Sequence, residues 1–343
     1  MKFDIALHAD YPDIAARAAE YKRQGFAGVF TLEANRDVFF PLFAVAQSGA
    51  ALDLYPNVAI AFPRSPMHVA YQSWDLQRLT GGRFTLGLGS QIRPHIEKRY
   101  SASWHKPVAQ LREYVAATKA IFACFHEGTR LDFRGEYYTF TLMTPTFLPA
   151  PLSRDGSVSP PPIWMGALGP LMTSAAAQIA DGVIVHPFNS EAFLRTQTMP
   201  RVLAGLAKSG RDRRAFTVNV TTIACIYDED DESERAAALS AARMNLAFYA
   251  STPSYRVTLD VHGWGDLQPE LNALSKAGKW ADMAAQITDE MVDTLTVRGT
   301  PENAAAIIAS RYEGIADRVA LSLPGSVRPE LLGRLLDASD LTS

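Results

Sequence analysis

The chain has 343 residues, 48% of them hydrophobic and 20% charged, with 36 acidic against 33 basic side chains and a net charge of -3. That balance excludes a disordered chain and gives no basic footprint for nucleic acid. Two cysteines, Cys124 and Cys225, exclude a disulfide framework, and polar residues near the start (Asp4, His8, Asp10, Asp13) together with the lack of any long apolar run predict a cytoplasmic protein with no membrane contact.

Short β-rich runs alternate with amphipathic helical stretches. Residues 3–8 read as a strand, followed by a helix over 12–24 that Gly25 stops. A second strand is predicted over 28–33, a helix over 42–51 and a third strand over 57–62. Pro66 opens a helix that reaches Leu79, Thr80-Gly81-Gly82 makes a turn, and residues 84–89 form a fourth strand. The rhythm then breaks. A helix fits 107–125, residues 131–148 read as a hairpin or extended chain, and the Pro- and Ser-rich stretch 145–162 as a loop. Strand and helix resume at 163–167, 171–180, 182–186 and 191–209, with a seventh strand over 216–226. Helices are expected from Asp228 to about residue 315, then an eighth strand over 318–323 and a last helix over 329–338. Eight strands alternating with helices predict an α/β fold, a (β/α)8 barrel in one domain over 1–343, with long excursions after strands 4 and 7 at the face where such barrels carry their sites.

Several motifs are absent or incomplete. Gly87-Leu88-Gly89 follows a strand but lacks the third glycine of a dinucleotide fingerprint, and no nucleophile elbow, Walker A loop or zincin motif occurs. The seven histidines do not fall at helical metal-ligand spacing, so no metal site is expected. Three stretches do carry information. Gly81 to Ser90 ends a strand in small residues, which admit either a flat ligand or close packing at the rim. Gln91 to Tyr100 sets Arg93, Lys98 and Arg99 against Glu97, able to meet an anion or simply to be solvated. Gly166-Ala167-Leu168-Gly169 joins a strand to a helix start, an arrangement whose free N–H groups suit a phosphate and which also serves as an ordinary turn. Glu33, His8 and His186 sit at predicted strand ends. They are candidates for handling a proton or polarising a substrate; a rim ion pair of Glu33 with Arg36 or Arg64 is the structural alternative.

Taken together, Ala59-Ile60-Ala61-Phe62-Pro63-Arg64-Ser65-Pro66-Met67-His68, Leu79-Thr80-Gly81-Gly82-Arg83-Phe84 and Leu86-Gly87-Leu88-Gly89 resemble the bacterial luciferase-like superfamily. Gln91 to Tyr100 with Trp104 and Pro107, and Asp289-Glu290-Met291 ahead of Gly299-Thr300-Pro301, are similar to its coenzyme F420-dependent oxidoreductases. The resemblance implies a TIM barrel that binds F420, with FMN as the alternative, and that transfers a hydride to or from a small organic substrate. It implies a non-proline cis peptide near Ala59-Ile60 behind the cofactor ring. The implied cofactor-binding set is Ala59, Ile60, Ala61, Gly89, Ser90, Gln91, Arg93, Arg99, Gly166, Ala167, Leu168 and Gly169, with the phosphate on the Gly166–Gly169 turn and the acidic tail of F420 on Arg93 and Arg99. Glu33, His8 and His186 are the catalytic candidates. Some F420 enzymes place Asp-His after strand two, where this chain has Glu33-Ala34-Asn35. The excursion holding Tyr249, Tyr255, Arg256, His262 and Trp264 would form the substrate wall, and a homodimer is implied. The alternatives are an FMN-dependent monooxygenase, a metal-dependent barrel hydrolase and a non-catalytic F420-binding protein.

Overall fold

The computed structural model describes residues 1–340; the last three residues of the expected 1–343 domain lie outside the described residues. In chain order the strands are β1 (Lys2–Ala6), β2 (Gly28–Thr31), β3 (Asp53–Pro56), β4 (Ala59–Ile60), β5 (Leu86–Gly89), β6 (Phe133–Arg134), β7 (Thr139–Phe140), β8 (Ile163–Ala167), β9 (Gly182–Val185), β10 (Thr217–Ile226), β11 (Thr296–Gly299) and β12 (Arg318–Ser322). Parallel pairing runs β3-β2-β1-β12-β10-β9-β8-β5-β4. Leu54 of β3 also bridges Phe84 just ahead of β5, which closes the ring. β3 and β4 are two halves of one stave, so eight staves form the barrel, as the alternating pattern predicts.

Two strands depart from the sequence reading. The third stave begins at Asp53, four residues before the expected strand, and breaks at Asn57–Val58, the non-proline cis peptide bond. The break therefore precedes the expected Ala59-Ile60 position. β11 falls in a stretch read as helical; it pairs with the last four residues of β10, Ile223–Ile226, of which Ile223 is also in register with β12. Between β5 and β8 the chain forms the helix Pro107–Glu127 and the small β6–β7 hairpin. Between β10 and β11 it forms a helical layer that starts with Glu232–Ala250.

Local sequence sets the elements between staves. The helix Pro66–Thr80 starts where Ser65 Oγ accepts from Met67 N, carries Pro66 in its first turn and ends on Gly81 at φ 62°. Its face with Val69, Ala70, Ser73, Trp74 and Gln77 is buried, with Trp74 against Phe122 and Phe125 of the helix Pro107–Glu127, and Gln77 ties the turn by accepting from Phe84 N at 2.9 Å.

Inside the barrel, side chains repeat every second residue. Ala6, Phe30, Tyr55, Trp164, Ile184 and Ala320 pack as one buried cluster with Val58 at its edge. Two residues earlier along the staves the interior turns charged. Asp4, fully buried, accepts from Arg318 Nε at 2.7 Å, Arg318 Nη2 at 2.5 Å and Tyr55 OH at 2.8 Å, while Arg318 Nη1 donates to Asp53 at 2.8 Å. Burial opposes the charge on Arg318, but the hydrogen bonds and proximity of Asp4 outweigh it and hold the guanidinium protonated above its ordinary pKa. Gly28 makes room for this pair, because a Cβ there would sit 2.7 Å from Asp4 Oδ1.

The arrangement closes the N-terminal end with a bidentate ion pair and leaves the opposite end for chemistry. Asp4→Ala should lower unfolding free energy by about 3–5 kcal/mol, since it strands a buried guanidinium. Urea unfolding of both proteins checks this, and a loss well under 1 kcal/mol would contradict it.

Candidate active site

The C-terminal end of the barrel is assembled from the break in the third stave outward. Asn57 and Val58 are partly exposed there, whereas Ala59, Ile60 and Ala61 are buried. The main chain of these three is also engaged. Ala59 and Ile60 pair with Leu88 and Gly89 of β5, Ala61 N donates to Gly89 O at 2.9 Å, and Ile60 O accepts from Arg64 at 3.0 Å. At the third stave Asn57 and Val58 are therefore the partly exposed residues of this end, while Ala59–Ala61 lie under the pairing of β4 with β5.

Val58 explains two glycines. A Cβ on Gly89 would lie 2.3 Å from Val58 Cγ2, and one on Gly166 would lie 3.0 Å from Val58 Cγ1. Gly87 is equally constrained, with Pro56 O only 2.0 Å from its would-be Cβ. Gly87 and Gly89 allow close packing at the rim. Val58 is thereby wedged between β5 and β8 at the mouth.

Glu33 fastens the same break. Its carboxylate, 6% exposed, accepts from Ile60 N at 2.7 Å and from Tyr100 OH at 3.2 Å, and Arg64 Nη1 lies 2.7 and 2.8 Å from its two oxygens. Of the two arginines weighed for it, Arg64 is the partner; Arg36 instead donates to Ala9 O at 2.7 Å and Leu7 O at 2.9 Å. Charge-assisted bonds from three elements make Glu33 a brace that ties strand two, the third stave and the loop after β5.

That loop carries the basic stretch. Arg93 is exposed and pairs with Glu97 at 2.9 Å; Arg99 donates to Ala34 O at 2.5 Å and lies 5.0 Å from the Tyr100 ring; Lys98 is exposed. Ser90 and Gln91 start the loop, and Gln91 takes φ 58°, unusual for a residue with a Cβ. Part of the positive charge is thus committed within the protein, and Lys98 with the exposed face of Arg99 remains at the rim.

The turn after β8 is open. A Cβ on Gly169 would meet nothing within 4 Å, and the helix Pro170–Ile179 begins directly after it. The N–H groups of Leu168, Gly169, Leu171 and Met172 have no acceptor among the described residues. Ala167 is buried, and its carbonyl accepts from His186 N at 3.1 Å. Beside the turn a groove of about 380 Å³ runs between Leu168, Pro170, Gln197, Arg201 and Asp260. Arg201, which the sequence reading did not single out, donates to Gln197 O at 2.6 Å and brings a guanidinium to this groove.

The two histidine candidates lie on different staves. His8 follows β1, exposed at the rim; crowding by protein, then the charges of Arg36 and Arg17, lowers its pKa. His186 follows β9 and is far more enclosed, and desolvation alone lowers its pKa to about 3. Its ring lies 4.9 Å from that of Tyr249 and 4.3 Å from that of Tyr255, so the helical layer after β10 does wall this end. His262 belongs to the same layer but bonds Ser190 Oγ at 2.8 Å and stacks on Trp264, fastening the layer to the barrel. Glu33, His8 and His186 thus sit in three different settings: one is a brace, one is open to solvent, and one sits under the aromatic wall. Among the described residues there is no cluster of three or more potential metal ligands.

A barrel with one sealed charged end and one open end built around a broken third stave is the architecture of a luciferase-like enzyme. The model of the luciferase-like monooxygenase family matches residues 4–318, and the chain belongs to that family. An uncharacterized protein of Mycobacterium tuberculosis is 44% identical over 319 residues, 92% of each chain. A 5,10-methylenetetrahydromethanopterin reductase of Archaeoglobus fulgidus is 30% identical over 275 residues, 78% of this chain and 76% of that one. The structure of coenzyme F420-dependent tetrahydromethanopterin reductase from Methanopyrus kandleri shares the fold, with a TM-score of 0.77 over 97% of this chain and 96% of that one at 20% identity.

The wedge gives a direct test of the site's packing. Gly89→Ala should cost about 1–3 kcal/mol through the clash with Val58, and adding Val58→Ala should recover most of it. Thermal or urea unfolding of the two single variants and the double variant measures the coupling; additive effects would contradict the wedge.

Proposed function

We propose that the chain is an F420-dependent oxidoreductase acting on a small organic molecule. The observation that carries this reading is the pairing, at one barrel end, of an apolar surface at Val58 with an open turn whose free N–H groups, at Leu168, Gly169, Leu171 and Met172, suit a phosphate. Those features fit a flat ring on a phosphorylated side chain. The coenzyme F420 dependence of the Methanopyrus kandleri reductase that shares the fold supports F420 over FMN. A bound deazaflavin would supply a hydride acceptor or donor.

The chain's own residues would do the rest. Val58 and Asn57 form the surface behind the ring, and Gly89, Gly166 and Glu33 position that surface. Ser90 and Gln91 begin the loop that borders it. Lys98 and Arg99 offer charge at the rim for an acidic tail, with Arg93 reduced by its bond to Glu97. Glu33, held by Arg64, Ile60 N and Tyr100, acts as a positioning residue, while His8 and His186 are the groups left to face reacting atoms. A homodimer working in the cytoplasm belongs to the same reading; Phe40 and Phe43, both exposed on the helix Phe40–Gln47, are its candidate contact.

Titration of the purified chain with F420 and separately with FMN, following cofactor fluorescence at several salt concentrations, tests the reading. The expected result is F420 binding in the micromolar range that weakens with salt, with FMN at least about tenfold weaker. FMN preference would move the chain to the monooxygenases of its family, and binding of neither would overturn the reading.

A further inference from the structure

The mouth of the barrel is polar in a particular way. Between the break in the third stave and the aromatic wall lie Asn57, Thr221, His186, Asn189, Tyr249 and Tyr255, none of which carries a charge at neutral pH. Asn57 Nδ2 donates to Thr221 Oγ1 at 2.8 Å, and Asn189 Nδ2 donates to Thr221 O at 2.9 Å and His186 O at 2.7 Å. These bonds lock β3, β9 and β10 together at the level of the imidazole. Asn189 Oδ1 is buried and has no partner among the described residues, so one acceptor in this layer is left over.

The orientation of His186 is set from both sides. Its Nδ1 accepts from Phe188 N at 3.1 Å, which puts the proton of the neutral ring on Nε2. Nε2 has no acceptor among the described residues. Tyr249 and Tyr255 flank the ring, so the imidazole can neither rotate freely nor gain water on both faces. The charges around the barrel are paired or capped, and the His186 ring feels desolvation alone. Arg64 holds Glu33, Arg36 caps Leu7 O and Ala9 O, and Arg318 holds Asp4 at the other end of the barrel. Glu290 bears on His262 rather than on His186. The result is a fixed neutral donor under the aromatic wall, on which no charged group acts among the described residues.

We propose that His186 Nε2–H binds the oxygen of an uncharged carbonyl or alcohol substrate, and that this end of the mouth rejects carboxylates and phosphates. An anion placed here would shed its hydration without gaining a cation, which is costly, whereas a neutral oxygen needs only one donor and tolerates aromatic walls. The inference rests on the oxidoreductase reading for its purpose, but the binding it describes belongs to the chain alone.

The full chain labelled with [15N]histidine provides the test, alone and saturated with oxidised F420. Long-range 1H–15N spectra follow the His186 ring while acetophenone or benzoate, probes of similar size and different charge, is added. Acetophenone should move the His186 Nε2 signal, and benzoate should bind at least about tenfold more weakly. His186→Phe should weaken acetophenone about tenfold, while His186→Gln, which keeps a donor, should stay within about threefold of the parent. Equal binding of benzoate, or unchanged acetophenone affinity in His186→Phe, would overturn the proposal. If F420 fails to bind while acetophenone still moves the signal, the cofactor reading falls and the subsite stands; if F420 binds and acetophenone moves nothing, the subsite falls alone.

Discussion

The seat of Val58 between Gly89 and Gly166 is the contact on which the rest of this end of the molecule depends. The third stave cannot continue straight across the mouth, because its main chain breaks at Asn57–Val58 and resumes as the two-residue β4. The side chain at the break needs a space that any residue larger than glycine on β5 or β8 would fill. Once Val58 is seated, Ile60 N faces Glu33, Arg64 reaches the same carboxylate, and Tyr100 brings the loop after β5 onto it. A packing constraint among three staves is thereby carried outward by hydrogen bonds to two loops.

Charge is distributed to match. The sealed end holds Asp4, Arg318 and Asp53 in one network, and the rim holds Glu33 with Arg64; between them lies a layer of aromatic and small side chains and then the neutral polar mouth. Buried ionic groups sit where structure is fixed, and uncharged donors sit in the mouth, with Lys98 and Arg99 exposed outside it at the rim. Buried charges demand fully satisfied partners, so confining them to braces keeps the mouth free of a field that would favour an ionic guest.

Much of the fold was legible in the sequence because parallel staves buried on both faces read as apolar runs between amphipathic helices. Seven of the eight staves follow that signal. The third was misplaced because Asp53-Leu54-Tyr55-Pro56 opens on a charge and closes on proline, both poor strand signals, while the residues after the break look more regular. β11 was missed because Thr296–Gly299 continues a helical stretch with only four residues of its own. At the site, Gly89 and Gly166 stood out in the sequence, but the reason for them, Val58, is a contact across three staves that no local pattern encodes. The Glu33–Arg64 pair was visible as an alternative. Tyr100, Asn57 and Asn189 were not, since their partners Glu33 and Thr221 lie far away in sequence; Arg201 bonds Gln197 one turn away, and nothing local marks the groove it faces.

The most direct measurement is a crystal structure of the chain with F420 bound. It should show the ring against Val58 and Asn57 with the phosphate on the N–H groups of Leu168 to Met172, while Glu33 stays on Arg64. A ring seated away from the break in the third stave, or a phosphate held elsewhere, would contradict the view that the Val58 seat organises this site.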